Sequence, residues 1–289
     1  MYDIAILGGD IRQIYMAEQF RRQNLSIITY GLTHPMIQDV CAKGASMKET
    51  IQSSHILVSA IPFSKDGITI PALTSSSDMT ISNFNASIRS EQVLFAGMIS
   101  DKVRSYCHQC KVSFFDFMED DSIAIANGIA TAEGAIMEAI NQSPTNLHKS
   151  HCLVLGFGRC AKTLAVKLKA LDTIVTVAAR KDSDRAMAEA FGFHAIPLNK
   201  LCDMLPHFTY IFNTIPALIL DANLLSRVSK DAIIIDLASA PGGLDYKAAK
   251  AYGLHANLCL GIPGKVSPKA SAQILTDKVM EHVMKRKKG

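Results

Sequence analysis

Short β-branched and apolar runs alternate with stretches of helical spacing along the whole chain. Residues 4–7 (Ile-Ala-Ile-Leu) form the first run and end in Gly8-Gly9. Residues 12–23 then space Ile14, Ala17 and Glu18 for one helical face. Strands are predicted at 26–30 and at 55–60, the latter stopped by Ile61-Pro62. Beyond a Ser- and Asp-rich stretch at 75–78, shorter strands are predicted at 93–96 and 112–115. Strands alternating with helices imply βαβ units and a parallel sheet.

A long helix with many small and apolar positions is predicted over 121–141, among them Ala124, Thr131, Ala135 and Ile136. Pro144 cannot continue it, and the turn at 143–146 is the best domain boundary in the chain. The pattern then restarts, with strands expected at 151–155, 174–178, 210–213, 232–236 and 255–259. Helices are expected at 159–170 and 184–191, and a last one at 267–286 with Ile274, Val279 and Val283 buried. The expected architecture is therefore α/β: two Rossmann-like doubly wound parallel-sheet domains, the second binding a dinucleotide. Its parts are a substrate-binding domain at 1–125, a linker helix at 126–146, a nucleotide domain at 147–266, and a helix at 267–289 packing back on the first domain.

Composition narrows the class. Of 289 residues, 48 % are hydrophobic and 19 % charged, against about 25 % charged in an average domain. A chain of this length and apolarity buries a full core, which excludes disorder. The net charge of +4 is too balanced for a dedicated nucleic-acid binder. The basic cluster Lys285-Arg286-Lys287-Lys288 reads as a solvated helix end, with a phosphate or membrane patch as the alternative. No uninterrupted apolar run approaches the ~18 residues of a membrane helix, and no basic segment followed by an apolar one opens the chain, so no secretory leader is expected. Seven irregularly spaced cysteines fit reduced thiols in a cytoplasmic protein. The lone pair Cys107 and Cys110 lacks a second ligand pair, so no metal is expected.

Candidate chemistry concentrates at strand ends. Gly156-x-Gly158-x-x-Ala161, with Arg159 and Cys160 inside it, follows a predicted strand and opens a predicted helix. In that context Gly156 allows the tight turn, Gly158 lets the backbone approach a pyrophosphate, and Ala161 keeps helix and strand close. The diphosphate would sit on the helix N-terminus, where free N–H groups and the macrodipole favour anions. At the end of the next strand an NAD site usually carries a carboxylate. This chain has Arg180 and Lys181 there instead, with Ser183 following. A guanidinium fork suits a 2′-phosphate, so NADP is expected over NAD; the alternative is a surface Arg180 and promiscuous binding. Asn213-Thr214-Ile215-Pro216, Asp236-Leu237-Ala238-Ser239 and Gly261-Ile262-Pro263-Gly264-Lys265 end later segments on the same carboxyl edge. These loops should surround the ribose and nicotinamide.

The first glycine turn, Gly8-Gly9-Asp10-Ile11-Arg12, lacks the third glycine and puts an anion where a pyrophosphate would sit. Its domain is therefore read as the substrate half. Asp10, Arg12 and Ser59 are the candidate contacts, with Ile61 and Pro62 nearby; a plain structural turn is the alternative. On the linker helix, Gly128 and Gly134 each cost about 1 kcal/mol relative to Ala, which suggests close approach by a ligand or another backbone. Asn127, Thr131 and Glu133 would then line the substrate side. Glu133 is a candidate proton acceptor, or else a solvated or capping glutamate.

Taken in order, the Gly-Gly-Asp-x-Arg start, Thr131-Ala132-Glu133-Gly134-Ala135, Gly156-Phe157-Gly158-Arg159, Asn213-Thr214-Ile215-Pro216, Asp236-Leu237-Ala238-Ser239 with its Pro-Gly-Gly, and Gly261-Ile262-Pro263-Gly264-Lys265 resemble the A-subunit family of dipicolinate synthase. The resemblance runs from residue 1 to about residue 276. It departs at 127–130, where a proline would precede Thr131. It implies an NADP-dependent oxidoreductase that forms pyridine-2,6-dicarboxylate from a dihydro- or 4-hydroxy-tetrahydrodipicolinate precursor, in the mother-cell cytoplasm of a spore-forming bacterium. It also implies a flavoprotein-like partner, the B subunit of the synthase, joined to a homo-oligomeric core. On that basis Arg12 and Lys265 would hold the two carboxylates, Lys265 also counting with Glu133 and Ser239 as catalytic, and Thr131 would touch substrate. Gly156, Gly158, Arg159, Cys160, Arg180, Lys181, Asn213, Thr214, Pro216, Leu237 and Ala238 would hold the cofactor. A 2-hydroxy-acid dehydrogenase would want Arg and His on such carboxyl-edge loops, and the turns after Asn213 and Asp236 carry neither. The paired catalytic groups of shikimate or methylene-tetrahydrofolate dehydrogenases are not found either. A non-catalytic protein that senses NADP or serves as a scaffold is the remaining competitor.

Overall fold

Twelve parallel strands form two sheets in the computed structural model, which describes residues 1–288. The first sheet contains β1 (Tyr2–Leu7), β2 (Ile27–Tyr30), β3 (Ala42–Lys43), β4 (Ser54–Ser59), β5 (Val93–Ala96) and β6 (Ser113–Asp116), in the order β3-β2-β1-β4-β5-β6. The second contains β7 (His151–Leu155), β8 (Ile174–Ala178), β9 (His194–Ile196), β10 (Tyr210–Asn213), β11 (Ile233–Asp236) and β12 (His255–Leu258), in the order β12-β11-β10-β7-β8-β9. Read from the opposite edge, the second order is the same as the first. Both are doubly wound Rossmann plans, whose strand order reverses at the central strand, β1 or β7. The short edge strands β3 and β9 escape a periodicity reading because two or three residues are too few to show alternation.

The chain divides into two compact units, one formed by residues up to Ala124 together with the segment from Ser267 onward, the other by Ile125–Val266. In the first unit, the helix Ile11–Arg22 packs Ile14, Met16, Ala17 and Phe20 into a core with Ile4, Ile6 and Val58. Glu18 was expected on that face; it is only half-buried and pairs with Arg22 at 2.6 Å, one turn on. The final helix, Pro268–Lys288, adds Ala272, Leu275, Val279 and Val283 to this core. A buried hydrogen bond from Thr276 Oγ1 to Gln19 Oε1 (2.7 Å) fixes the register of the two helices. Lys278 Nζ reaches Asp120 Oδ2 at 2.8 Å, which ties the same helix to the start of the next one along. Of the basic cluster that closes this helix, Lys285 is exposed, and the side chains of Arg286, Lys287 and Lys288 lie outside the described residues.

The helix Asp121–Gln142 runs without a break through residues 127–130. It is long and apolar enough, by length and composition, to cross a membrane. Polar residues are scattered along it, so it contains no uninterrupted apolar run of that length. Its small residues serve packing instead: Ala132, Ala135 and Ala139 lie fully buried in the core of the second unit, with Leu164, Leu168, Phe212 and Ile235. Gly134 has no room for a side chain, because a Cβ there would strike Ile262. Gly128 brings the helix to where an added Cβ would lie 3.7 Å from the Cα of Cys160.

The Lys278–Asp120 pair makes acid stability testable. The ammonium of Lys278, then Ser122, hold the Asp120 carboxyl below its ordinary range. The pair therefore stabilises the fold above the unfolded value of about 3.9 and is lost as pH falls through the lower folded value. Urea midpoints at pH 7 and pH 3 should fall further in the wild type than in Asp120→Asn, which lacks the titrating group. Equal falls would remove the pair from the acid response.

Candidate functional site

Two glycine turns occupy equivalent places, one after β1 and one after β7, each opening a helix. In the first, Gly8 and Gly9 have φ of +57° and +110°, and Asp10 caps the helix. The Asp10 carboxylate accepts from Arg12 N at 2.9 Å, while Gln13 Oε1 accepts from Asp10 N at 2.8 Å. Arg12 is 8 % exposed. Its Nε and Nη2 donate to Asp10 at 2.9 and 2.8 Å, and Nη2 also donates to the carbonyl of Ile61 at 2.6 Å. The guanidinium of Arg12, expected to hold a substrate carboxylate, pairs with the half-exposed Asp10 carboxylate and straps the β1 and β4 ends together. Asp10 is correspondingly spent on the cap. Ser59 is fully buried and donates to the Leu7 carbonyl at 2.8 Å, so it closes the sheet edge and offers substrate nothing.

The second turn is built the other way. Gly156 has φ +92°, and its N–H donates to Ala178 at 2.8 Å. A Cβ there would lie 2.7 Å from Thr214 Oγ1. Gly158 is the extended N-cap of the helix Arg159–Ala170, and no side chain caps it. A Cβ at Gly158 would meet no protein atom within 4 Å. The helix thus presents its positive end and first-turn N–H groups to a space that only a glycine at this position leaves clear, which fits a dinucleotide diphosphate. Ala161 is fully buried, as close helix–strand packing requires. Arg159 is exposed and Cys160 half-buried. Burial pushes the Cys160 thiol up to about 11, so it acts as a packed apolar group and not as a nucleophile.

Arg180 and Lys181 are exposed at the turn after β8. The guanidinium of Arg185 lies beneath them, donating to the carbonyls of Ala179 and Arg180 at 3.0 and 2.9 Å and pairing with Asp182. Its three-residue spacing from Asp182 is the feature of the sequence that points to this pair.

A buried carboxylate organises the loops on the far side of β7. Asp236, fully buried at the end of β11, accepts from Asn213 Nδ2 (2.8 Å), Ala238 N (3.0 Å), Gly243 N (2.7 Å) and Tyr246 Oη (2.7 Å). Burial, then this bond, push the Tyr246 hydroxyl far above its ordinary range. Gly242, at φ +91°, leaves room for both groups. The Asn213 side chain is buried as well, accepting from Ile215 N at 3.0 Å and donating to Ile215 O at 3.1 Å. Asn213 and the nearly buried Ala238 were expected to touch cofactor, but they form the frame beneath the loops. Thr214 is half-buried and donates to Leu155 O at 2.8 Å, beside Gly156. Leu237 is half-buried, while Pro216 and Ser239 are exposed on this edge.

Lys265 lies on the short helix Ile262–Val266 and lines a cavity of about 500 Å³ with Glu138, Gln142, Asn257 and Cys259. Glu133 is not among its residues. It stands exposed and pairs with Lys167 at 2.9 Å. Thr131 is half-buried and donates its hydroxyl to the Asn127 carbonyl one turn back (3.0 Å). Asp236, Tyr246, Glu138 and Arg185 are the residues that periodicity and motif did not single out for these roles.

Residues 3–118 match the family described as the N-terminal domain of the dipicolinate synthase A subunit. The A subunit of dipicolinate synthase from Bacillus subtilis (strain 168) is 31 % identical over 290 residues, covering 95 % of this chain and 93 % of the relative. The crystal structure of the dipicolinate synthase A chain from Bacillus subtilis superposes with a TM-score of 0.88, covering 98 % of this chain and 96 % of that one at 28 % identity. That of the corresponding subunit from Bacillus halodurans gives 0.85, covering 97 % of each at 27 % identity. A transhydrogenase from Sinorhizobium meliloti gives 0.70 at 11 % identity, over 97 % of this chain and 94 % of that one, and shares the fold.

The Asp236 arrangement generates a stability test. Asp236→Asn keeps one acceptor oxygen but, with its amide in place of Oδ2, points a donor at Gly243 N and Tyr246 Oη, which both donate to that oxygen. It should cost about 2–4 kcal/mol, measured as a lowered urea midpoint. A midpoint unchanged from wild type would mean the loops stand without the carboxylate.

Proposed function

The chain belongs to the A-subunit family of dipicolinate synthase, and on that premise we propose that it is an NADP-dependent oxidoreductase forming pyridine-2,6-dicarboxylate. The precursor is 4-hydroxy-tetrahydrodipicolinate, which loses water to a dihydro ring and then two electrons and two protons. The uncapped N-terminus of the helix Arg159–Ala170, fronted by Gly158, is the observation that carries this reading. The neighbouring Arg180 and Lys181 support the phosphorylated dinucleotide.

When bound, NADP supplies a hydride acceptor at its nicotinamide ring. The protein's own contribution is positioning. The loops framed by Asp236 would hold the nicotinamide half, with Thr214, Pro216, Leu237 and Ser239 at their surface. Lys265 takes one substrate carboxylate in a cavity whose volume of about 500 Å³ suits a small ring. Glu138, the carboxylate that lines the same cavity, accepts the proton released on aromatisation. The expected partner is the flavoprotein-like B subunit, in the cytoplasm of a spore-forming bacterium, in keeping with relatives that are each one component of a synthase.

Purified chain, with and without that partner, should produce NADPH in step with the absorbance of the aromatic product. Binding of NADPH without turnover under either condition would favour a nucleotide-sensing role. Gly158→Ala adds a Cβ that meets no protein atom within 4 Å, so its melting temperature should stay near wild type while NADPH affinity falls by about tenfold or more. Unchanged affinity would remove the diphosphate from this turn. Lys265→Ala should raise KM for the diacid about tenfold, and Glu138→Gln should lower kcat about a hundredfold with loss of the acidic limb of its pH profile. Wild-type kinetics in both variants would move the chemistry away from this cavity.

A further inference from the structure

The turn after β8 carries more charge than a reading of Arg180 alone suggests. Within residues 179–185 stand Arg180, Lys181, Asp182, Asp184 and Arg185. Asp182 is the first residue of the helix Asp182–Ala190, and its side chain is 94 % exposed. A free carboxylate there would repel a 2′-phosphate, and it is the type of group that accepts from the ribose 2′-hydroxyl of NAD. It is not free. Arg185, whose side chain is 21 % exposed, pairs with Asp182 through Nη2. Its Nη1 donates to the carbonyls of Ala179 and Arg180.

We propose that Arg185 is a specificity-determining residue for the phosphorylated dinucleotide, because it takes up the Asp182 carboxylate and holds the turn that presents Arg180 and Lys181. The inference rests on the NADP reading of the second unit and adds a residue and a route to it. An exposed ion pair contributes little by itself. Here one member is largely buried and is anchored on two backbone carbonyls, so its guanidinium is held in place to compensate the charge of the carboxylate. Removing Arg185 changes the turn in two ways at once, since Asp182 is released and one positive charge is lost.

Calorimetric titration of the full chain with NADPH and NADH tests this directly. The wild type should prefer NADPH, and Arg185→Gln should lower that preference about tenfold. The double variant Arg185→Gln/Asp182→Asn should return to within about threefold of wild type, since the released carboxylate is then gone. Asp182→Asn alone should bind NADPH at least as tightly as wild type, which keeps the proposal testable should the Arg185 variants fold poorly by circular dichroism. A preference unchanged in Arg185→Gln, no recovery in the double variant, or weaker NADPH binding in Asp182→Asn would each overturn it. A wild type with no preference for NADPH overturns the NADP reading as well, whereas a preference that survives Arg185→Gln overturns only the role of Arg185.

Discussion

A helix N-terminus must find acceptors for its first N–H groups, and the two units of this chain meet that requirement in opposite ways. After β1 the acceptor is internal: Asp10 caps the helix, Gln13 returns the bond, and Arg12 neutralises the carboxylate. After β7 no side chain caps the helix, and the N-cap is a glycine whose missing side chain leaves the approach clear. The same strand order and the same glycine-rich turn thus give one closed end and one open end. The dinucleotide reading follows from that difference more than from the Gly156-x-Gly158-x-x-Ala161 pattern itself.

The open end is useful only if the surrounding loops are held. Asp236 does this with four hydrogen bonds in a fully buried position, drawing on Asn213, on the backbone at Ala238 and Gly243, and on Tyr246. An isolated buried carboxylate is costly, and one satisfied by four donors is a rigid joint. On the other side of β7, Arg185 plays a smaller version of the same part with two carbonyls and one carboxylate. Buried or half-buried charges therefore frame the edge, and exposed residues such as Arg180, Lys181, Pro216 and Ser239 remain at its surface.

Several residues with chemically suggestive side chains also brace the scaffold. Arg12, Ser59, Asn213 and Thr131 each spend their polar groups on backbone or on a neighbour within the protein. Glu133 and Glu138 show how position on a helix decides between similar residues. Five residues apart, they lie about 140° from each other around the axis. One pairs with Lys167 at the surface and the other lines the cavity with Lys265.

The alternation of apolar strands and helical spacing was sufficient to reveal two parallel-sheet units, the long helix between them in the chain and the open glycine turn, because periodicity and glycine placement are local properties. Short edge strands such as β3 and β9 were invisible, since two or three residues carry no period. Which polar groups remain available to a ligand was not legible either. Hydrogen-bond partners such as Asp236 with Tyr246, or Arg12 with Ile61, are brought together by the fold, and a donor already satisfied by the protein looks the same in sequence as one awaiting substrate. The sequence by itself determined the architecture and the place of the glycine turn after β7; the tertiary structure alone decided which side chains build the frame and which face outward, because that depends on partners distant along the chain.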